Sequence, residues 1–375
     1  MNFLEYAAKT YVLAQAGIAV PRSVLCASSG EAATAFARVG SCVVKAQVPV
    51  GKRGKSGGIC KADSSEAAGA AAAAILGMKI DGYQVESVLV EQRADIAREL
   101  YAAVMTDFAA GQPLILFSTE GGMDIEEVAA TRPAALRRMH VVISRGPAHS
   151  DIEAMLDGLD LGAARSCVAD ILLKLYAAYR ETDAELIEIN PLAILNDGSL
   201  VALDCKLTID DAAAERQSVL SALAAPEKLT ELELRARAAG LNFIELDGNV
   251  GVLANGAGLT MTTMDVISHF GGRAANFLEI GGDAYTKSEI ALELVLSHPR
   301  VKSLMINCCG AFARTDVMAD GITAAWKKLQ PSLPVFFSIH GTGEDEAIRI
   351  VRERLGVEPH DLMEDAVKAA VEAAL

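Results

Sequence analysis

From residue 241 onward the chain repeats one pattern four times: an apolar strand, a small-residue turn, then a helix. The strands are NVGVLAN (249–255), AANFLEI (274–280), VKSLMINC (301–308) and VFFSIH (335–340). Their turns are Gly256–Gly258, Gly281–Gly282, Cys309–Gly310 and Gly341–Thr342–Gly343. Four strand–helix units in succession predict a parallel, doubly wound sheet with helices on both faces. All four turns must then lie on the carboxyl edge, where helix amino ends favour anions and such sheets bind ligands. The plain alternative is that these glycines only make tight turns. Asn255, at the end of the first strand, favours a ligand site.

The first 212 or so residues alternate strands and helices less regularly. A helix opens the chain, with Asn2 expected as its cap, Glu5 three residues on, and Gly17 as its stop. A charged helix-forming stretch, 226–240, follows Pro226 and reads as a connector between domains 1–225 and 241–375.

Two segments of the first half carry chemistry. In VVKAQVPVGKRGKSGGI (43–59), Val43, Lys45 and Gln47 share one face of a strand that runs into a loop holding Gly51, Lys52, Arg53, Gly54, Lys55, Gly57 and Gly58. Glycines let backbone N–H groups approach an anion, and the cations neutralise it, so a polyphosphate fits. The spacing is neither the Walker loop nor GxGxxG. A solvated basic loop is the bland reading, weakened by the acidity of the chain, whose formal charge is −15.

The other segment is the hairpin LIEINPLAILNDGSLVALDCKL (186–207). Alternation turns Ile187 and Ile189 to a core and Glu188 and Asn190 to the opposite face. With Asn196–Asp197–Gly198 as the loop and Gly198 left-handed, Leu195 pairs with Ser199. Asn190 then faces Asp204, and Glu188 faces Lys206, with opposed Cβ atoms about 4.5–5.5 Å apart. A carboxylate and an amide oxygen so placed can share a hard cation such as Mg²⁺. An edge hairpin with a solvated face is the alternative. In VLVEQRADIARELYAAV (88–104), Glu91 closes an apolar strand and Glu99 lies in a second, either able to accept from an adenine amine or a ribose hydroxyl.

Net acidity argues against sequence-independent nucleic-acid binding. The start resembles no secretory leader, and the alanine-rich stretch 66–76 is too short to span a bilayer. Seven cysteines without CxxC spacing suit a reducing cytoplasm. The six histidines are scattered and suggest no zinc site; His340 lies at the carboxyl edge.

Nearly end to end, the chain resembles the β subunits of ADP-forming acid–CoA ligases, the succinyl-CoA synthetase and malate–CoA ligase family. The resemblance rests on NFLEYAAK, the Lys/Gly-rich loop, VLVEQRADIARELY, STEGGMDIEEVA (118–129), EINPL (188–192), LDGNVGVLANGAGLTMTTMD (246–265) and NFLEIGGDA (276–284). It implies an ATP-grasp fold over residues 1–225 and a flavodoxin-like ligase domain after the connector. By resemblance, Lys45, Lys52, Arg53, Gly54, Glu91, Ala94 and Glu99 bind ATP or GTP. Asn190 and Asp204 hold Mg²⁺, Glu188 faces a phosphohistidine, and Asn255 with Gly310, Ala311, Phe312 and Ala313 holds the organic acid. The histidine and most of the CoA site belong to a separate α subunit, so an obligate partner is implied.

Three departures stand out. Lys52 replaces a customary glycine, GAFA (310–313) replaces GGIV, and Gly341–Thr342–Gly343 lacks an amide side chain. They suggest an acid other than plain succinate, such as malate. Two alternatives remain at this level: an ATP-grasp ligase joining a carboxylate to an amine, and a non-catalytic nucleotide-binding subunit.

Overall fold

Alternation in the first half of the chain resolves, in the computed structural model, into two antiparallel sheets. The structure describes residues 1–280 and 287–375, which divide into two units, Met1–Glu227 and Lys228–Leu375.

The first unit begins with α1 (Glu5–Ala8), which runs directly into a π-helical stretch, Lys9–Leu13. Asn2 does not cap it. Leu4 holds the cap position without a side-chain bond, and Asn2 Oδ1 instead accepts from the Thr208 hydroxyl. Gly17, at φ +70°, follows the last turn.

The first sheet contains β1 (Ser23–Cys26), β2 (Cys42–Ala46), β3 (Ile59–Ala62) and, after a small hairpin β4–β5 (Lys79–Ile80 and Tyr83–Gln84), β6 (Val88–Gln92). Its order is β1-β6-β2-β3. One face packs on α2 (Ser29–Val39) and α3 (Ser65–Ile75), each capped by a serine, Ser28 and Ser64. Val44, Ala46, Val88 and Val90 meet Ala32, Ala35, Ala68 and Ala72 in that core. The strand period of two leaves Lys45 on the opposite face.

The second sheet holds β7 (Ile96–Asp107), β8 (Gln112–Ser118), β9 (Leu136–His140), β10 (Ala184–Leu195), β11 (Leu200–Ala202) and β12 (Lys206–Ile209). Its order is β11-β10-β7-β8-β9, with β12 also on β10. α4 (Ile125–Thr131) follows β8. Of α5 (His149–Met155) and the long α6 (Arg165–Glu181), the latter buries Val168, Leu172 and Leu175 in one core with Leu100, Val104, Ile187 and Ile189. α7 (Ser218–Ser221) lies near the end of the unit.

The β10–β11 turn has the expected loop. Leu195 N donates to Ser199 O at 2.8 Å, Gly198 sits at φ +83°, and Ile194 pairs with Leu200. The ladder breaks after Ala202 and resumes in the same register with Glu188 opposite Lys206. Across the break, Leu203 N donates to Pro191 O, and the Asn190–Pro191 peptide is cis.

In the second unit, the stretch read as a connector forms α8 (Glu231–Ala238), closed by a capping box between Thr230 and Glu233. A short β13 (Phe243–Glu245) precedes β14 (Val250–Ala254), β15 (Asn276–Leu278), β16 (Ser303–Gly310) and β17 (Val335–Gly341). β14, β16 and β17 are parallel neighbours. β15 meets β14 only through bridges at Val250–Ala274 and Ala254–Glu279, and β13 pairs antiparallel on its far side. Between the bridges lies one extra residue, and the buried Asn276 amide fills the gap, accepting from Val252 N at 3.0 Å and donating to Val252 O at 2.8 Å. The four expected strands thus lie in the order second, first, third, fourth, the flavodoxin-like arrangement.

Among the described residues, five helices flank this sheet: α9 (Ala257–His269), α10 (Ser288–Ser297), α11 (Thr315–Leu329), α12 (Glu344–Leu355) and α13 (Met363–Ala374). Leu304, Ile306, Phe337 and Ile339 face a core with Leu292, Ile322 and Val351. Val250, Val252 and Met305 face the other, with Ile267, Val367 and Val371. Among the described residues no helix is long and apolar enough to cross a membrane. The turn Gly281–Gly282 lies outside the described residues.

Candidate functional site

The face of β2 turned away from its helices carries a knot of buried charge. Lys45 Nζ lies 2.9 Å from Glu5 Oε1 and 2.7 Å from Glu91 Oε1, and donates to Leu203 O at 2.6 Å. Lys9 Nζ reaches Glu5 at 3.1 Å, Glu91, and Leu203 O at 3.0 Å. Arg53 donates to Ala46 O at 2.9 Å and Asp204 Oδ2 at 2.6 Å, with Nη1 at 2.8 Å from Glu5 Oε2. Lys9, Lys45 and Arg53 therefore balance Glu5, Glu91 and Asp204. Charges this deep are tolerated only in compensated sets.

Glu5 is the hub, touching all three cations while 2% exposed. Burial alone would raise its pKa, but Lys45, Arg53 and Lys9 outweigh that and hold it well below the carboxylate range. Burial dominates at Glu91, whose pKa is raised despite Lys45 and Lys9. Burial works against the charge of Lys45, yet Glu5, Glu91 and Asp204 push its pKa up.

Beside this knot opens a cavity of about 560 Å³. Its wall includes Lys52, Arg53 and Gly54 from the loop after β2, and Glu188, Asn190 and Asp204 from the β10–β12 hairpin. Burial raises the Glu188 pKa, partly opposed by Lys206 across the ladder and by a bond from Asn190. Asn190 Oδ1 accepts from Gly122 N at 2.8 Å, and its Nδ2 donates to Met123 O at 2.9 Å. Asp204 Oδ1 accepts from Cys205 N. These hard oxygens suit a Mg²⁺ completed by phosphates and water. Among the described residues, no cluster of three or more His, Cys, Asp or Glu side chains is arranged to hold a metal unaided.

Of the other expected nucleotide residues, Lys45 and Glu91 lie in the buried knot rather than on the cavity wall. Ala94 lies between β6 and β7, and Glu99 on β7 opposite Ala193; neither lines this cavity. Sequence reasoning missed Glu5, Lys9 and Asp124. The signal for the first two was an acid and a base four residues apart on the inward face of an otherwise alanine-rich helix. Asp124, the N-cap of α4, joins Lys52 at 2.7 Å.

At the carboxyl edge of the second unit, Asn255 bonds β16 twice: Nδ2 donates to Cys309 O at 2.8 Å, and Oδ1 accepts from Cys309 N at 2.7 Å. Gly256, at φ +89°, opens α9. Gly341 pairs with Gly310, and a Cβ on Gly341 would stand 2.1 Å from Gly310 O, so this turn requires glycine. Gly310, Ala311, Phe312 and Ala313 form the adjoining loop, with Phe312 fully exposed. His340 Nδ1 lies 3.7 Å from Glu344.

Residues 2–194 match the ATP-grasp domain family, and residues 253–371 match the CoA-ligase family. The chain is 41% identical over 380 residues to the succinate–CoA ligase [ADP-forming] β subunit of Rubrobacter xylanophilus, covering 100% of this chain and 99% of that protein. It is 40% identical over 355 residues to the succinate–CoA ligase [GDP-forming] β subunit of Thermus thermophilus, covering 94% and 93%. The fold also matches ATP citrate lyase from Methanothrix soehngenii, with a TM-score of 0.72, 24% identity and 99% of each chain covered. An ATP-grasp domain with a buried charge knot, a parallel-sheet CoA-ligase domain after it, and this identity over its whole length place the chain in the succinate–CoA ligase β-subunit family.

Proposed function

We propose that this chain is the nucleotide-binding half of an ADP-forming acid–CoA ligase, working with an α subunit that carries the phosphorylated histidine and most of the CoA site. The observation behind this reading is the gathering of Lys52, Arg53, Gly54, Glu188, Asn190 and Asp204 on one cavity wall. Lys45, Lys52 and Arg53 offset phosphate charge, Gly54 gives the backbone close approach, and Glu91, Ala94 and Glu99 bind the rest of ATP or GTP. Asn190 Oδ1 and Asp204 hold Mg²⁺, which when bound draws charge from the phosphates.

Three transfers follow. The terminal phosphoryl group passes to a nitrogen of the partner's histidine, releasing ADP. The acid's carboxylate oxygen takes it, forming an acyl phosphate. The CoA sulfur then attacks the acyl carbon and inorganic phosphate leaves. Glu188, whose pKa burial raises, faces the histidine and shares a proton with it. Asn255 and residues 310–313 hold the acid at the sheet edge. The exposed Phe312 supports an acid other than plain succinate, malate or another small polar acid. The cytoplasm, where thiols stay reduced, is the compartment this reading expects.

The test is ADP release by the chain purified with its partner, across a panel of acids, with and without CoA. The reading expects dependence on acid and CoA together and a non-succinate preference. Turnover with an amine in place of CoA would point to an amide-forming ligase, and a clear preference for succinate would remove the acid assignment.

A further inference from the structure

Lys52 is one of four non-glycine residues with positive φ among those described, at +60°. That conformation is strained for a side-chain-bearing residue and free for glycine. Strain of this kind persists where something holds it. Lys52 Nζ reaches across to Asp124 Oδ2 at 2.7 Å, and both residues line the cavity.

Asp124 ends a segment that grips Asn190. Gly122 N–H donates to the Asn190 oxygen, and Met123 C=O accepts from its NH₂. One donor and one acceptor leave the amide a single satisfied orientation. The segment is itself seated without room to shift inward. A Cβ on Gly121 would lie 2.2 Å from Leu100 O, and one on Gly122 would lie 2.1 Å from Glu99 Oε2. Its other fixed point is the Lys52–Asp124 pair.

We propose that Lys52 is a positioning residue: paired with Asp124, it straps residues 121–124 beside the cavity and so fixes the Asn190 oxygen toward the metal of the bound nucleotide. This rests on the Mg²⁺–nucleotide reading above. Outer groups that orient a metal ligand govern affinity through it, and an exposed pair acting this way has a modest effect.

The test is calorimetric titration of ADP into the full chain with its partner at stepped Mg²⁺ concentrations, on Lys52→Gly, Asp124→Asn and the double variant. Asn caps a helix as well as Asp, so Asp124→Asn keeps the start of α4. Each single variant should raise the Mg²⁺ concentration at half-saturation about fivefold, with the double no worse than either single. The Tm of Lys52→Gly should not fall below that of the parent, because glycine relieves the positive φ. A purely structural lysine would move Tm and leave the Mg²⁺ midpoint alone. Midpoints within about twofold of the parent in both singles, or fully additive effects in the double, overturn the strap alone. A parent that binds ADP without regard to Mg²⁺ overturns the metal reading together with it.

Discussion

The two units prepare for their ligands by opposite means. The first buries a compensated set of full charges, Glu5, Lys9, Lys45, Arg53 and Glu91, with Asp204 at its rim. The second shapes its carboxyl edge chiefly with uncharged groups: Asn255 clamps Cys309 and glycines let Gly310 and Gly341 pair closely, with the Glu344 carboxylate accepting from Gly341 N. A charged site must be held against its own repulsion and desolvation. An edge built chiefly of uncharged groups depends more on close backbone packing. Disturbing the first should therefore cost both ligand binding and stability, whereas disturbing the second should cost mainly through backbone groups left unpaired.

The comparison breaks most visibly at Asp204. Asp204→Ala removes a proposed metal oxygen and one of the two carboxylates paired with Arg53, and should lower phosphoryl transfer from ATP to the partner subunit by at least about 100-fold. Labelling of the partner from ATP reads this, and near-parent labelling would favour a scaffolding subunit instead.

Next comes Glu5→Gln, which leaves Lys9, Lys45 and Arg53 facing two carboxylates. Removing one partner from a buried ionic set costs about 3–5 kcal/mol. The single tryptophan, Trp326, lies on α11 in the second unit. Far-UV circular dichroism should therefore show an early unfolding step, while the midpoint by Trp326 fluorescence moves less. Equal shifts by both probes would show that the units do not unfold separately.

The mirror experiment is Asn276→Ala. It orphans Val252 N–H and C=O inside the second sheet, at a cost of about 2–3 kcal/mol. Here the Trp326 midpoint should move most.

The smallest effect concerns Glu188. Its folded pKa is raised by burial, so the folded state binds the proton more tightly than the unfolded state. Stability is then full below the unfolded pKa and falls as pH rises toward the folded one. Glu188→Gln removes that loss, so its Tm should exceed the parent's by more at pH 8 than at pH 4, while partner phosphorylation drops. A pH-independent difference would show that Glu188 is not strained by burial.

The fold of the second unit was legible because near-continuous apolar runs, each closed by a small-residue turn and a helix, state a parallel sheet directly. The exception was β15, whose bulge depends on the Asn276 side chain standing in for backbone, which no local pattern announces. The hairpin register could be counted because one turn, Asn196–Gly198, fixed it and the ladder kept it through the break at Leu203–Cys205. The charge knot was only half legible. Lys45 and Arg53 stood out beside glycines, but Glu5 read only as part of the opening helix's cap, and Lys9 drew no reading. Their partners are Lys45, Arg53, Glu91 and Leu203, up to 194 positions away in sequence, and such pairing is invisible to any local pattern.

The claim on which the rest depends is that Asn190 and Asp204 grip one divalent ion escorting the nucleotide. A crystal of the complex grown with ADP and Mn²⁺, examined by anomalous scattering, tests it directly. The account predicts a single peak about 2.0–2.3 Å from Asn190 Oδ1 and an Asp204 carboxylate oxygen. A peak bound by neither side chain, with Arg53 still on Asp204, would contradict it.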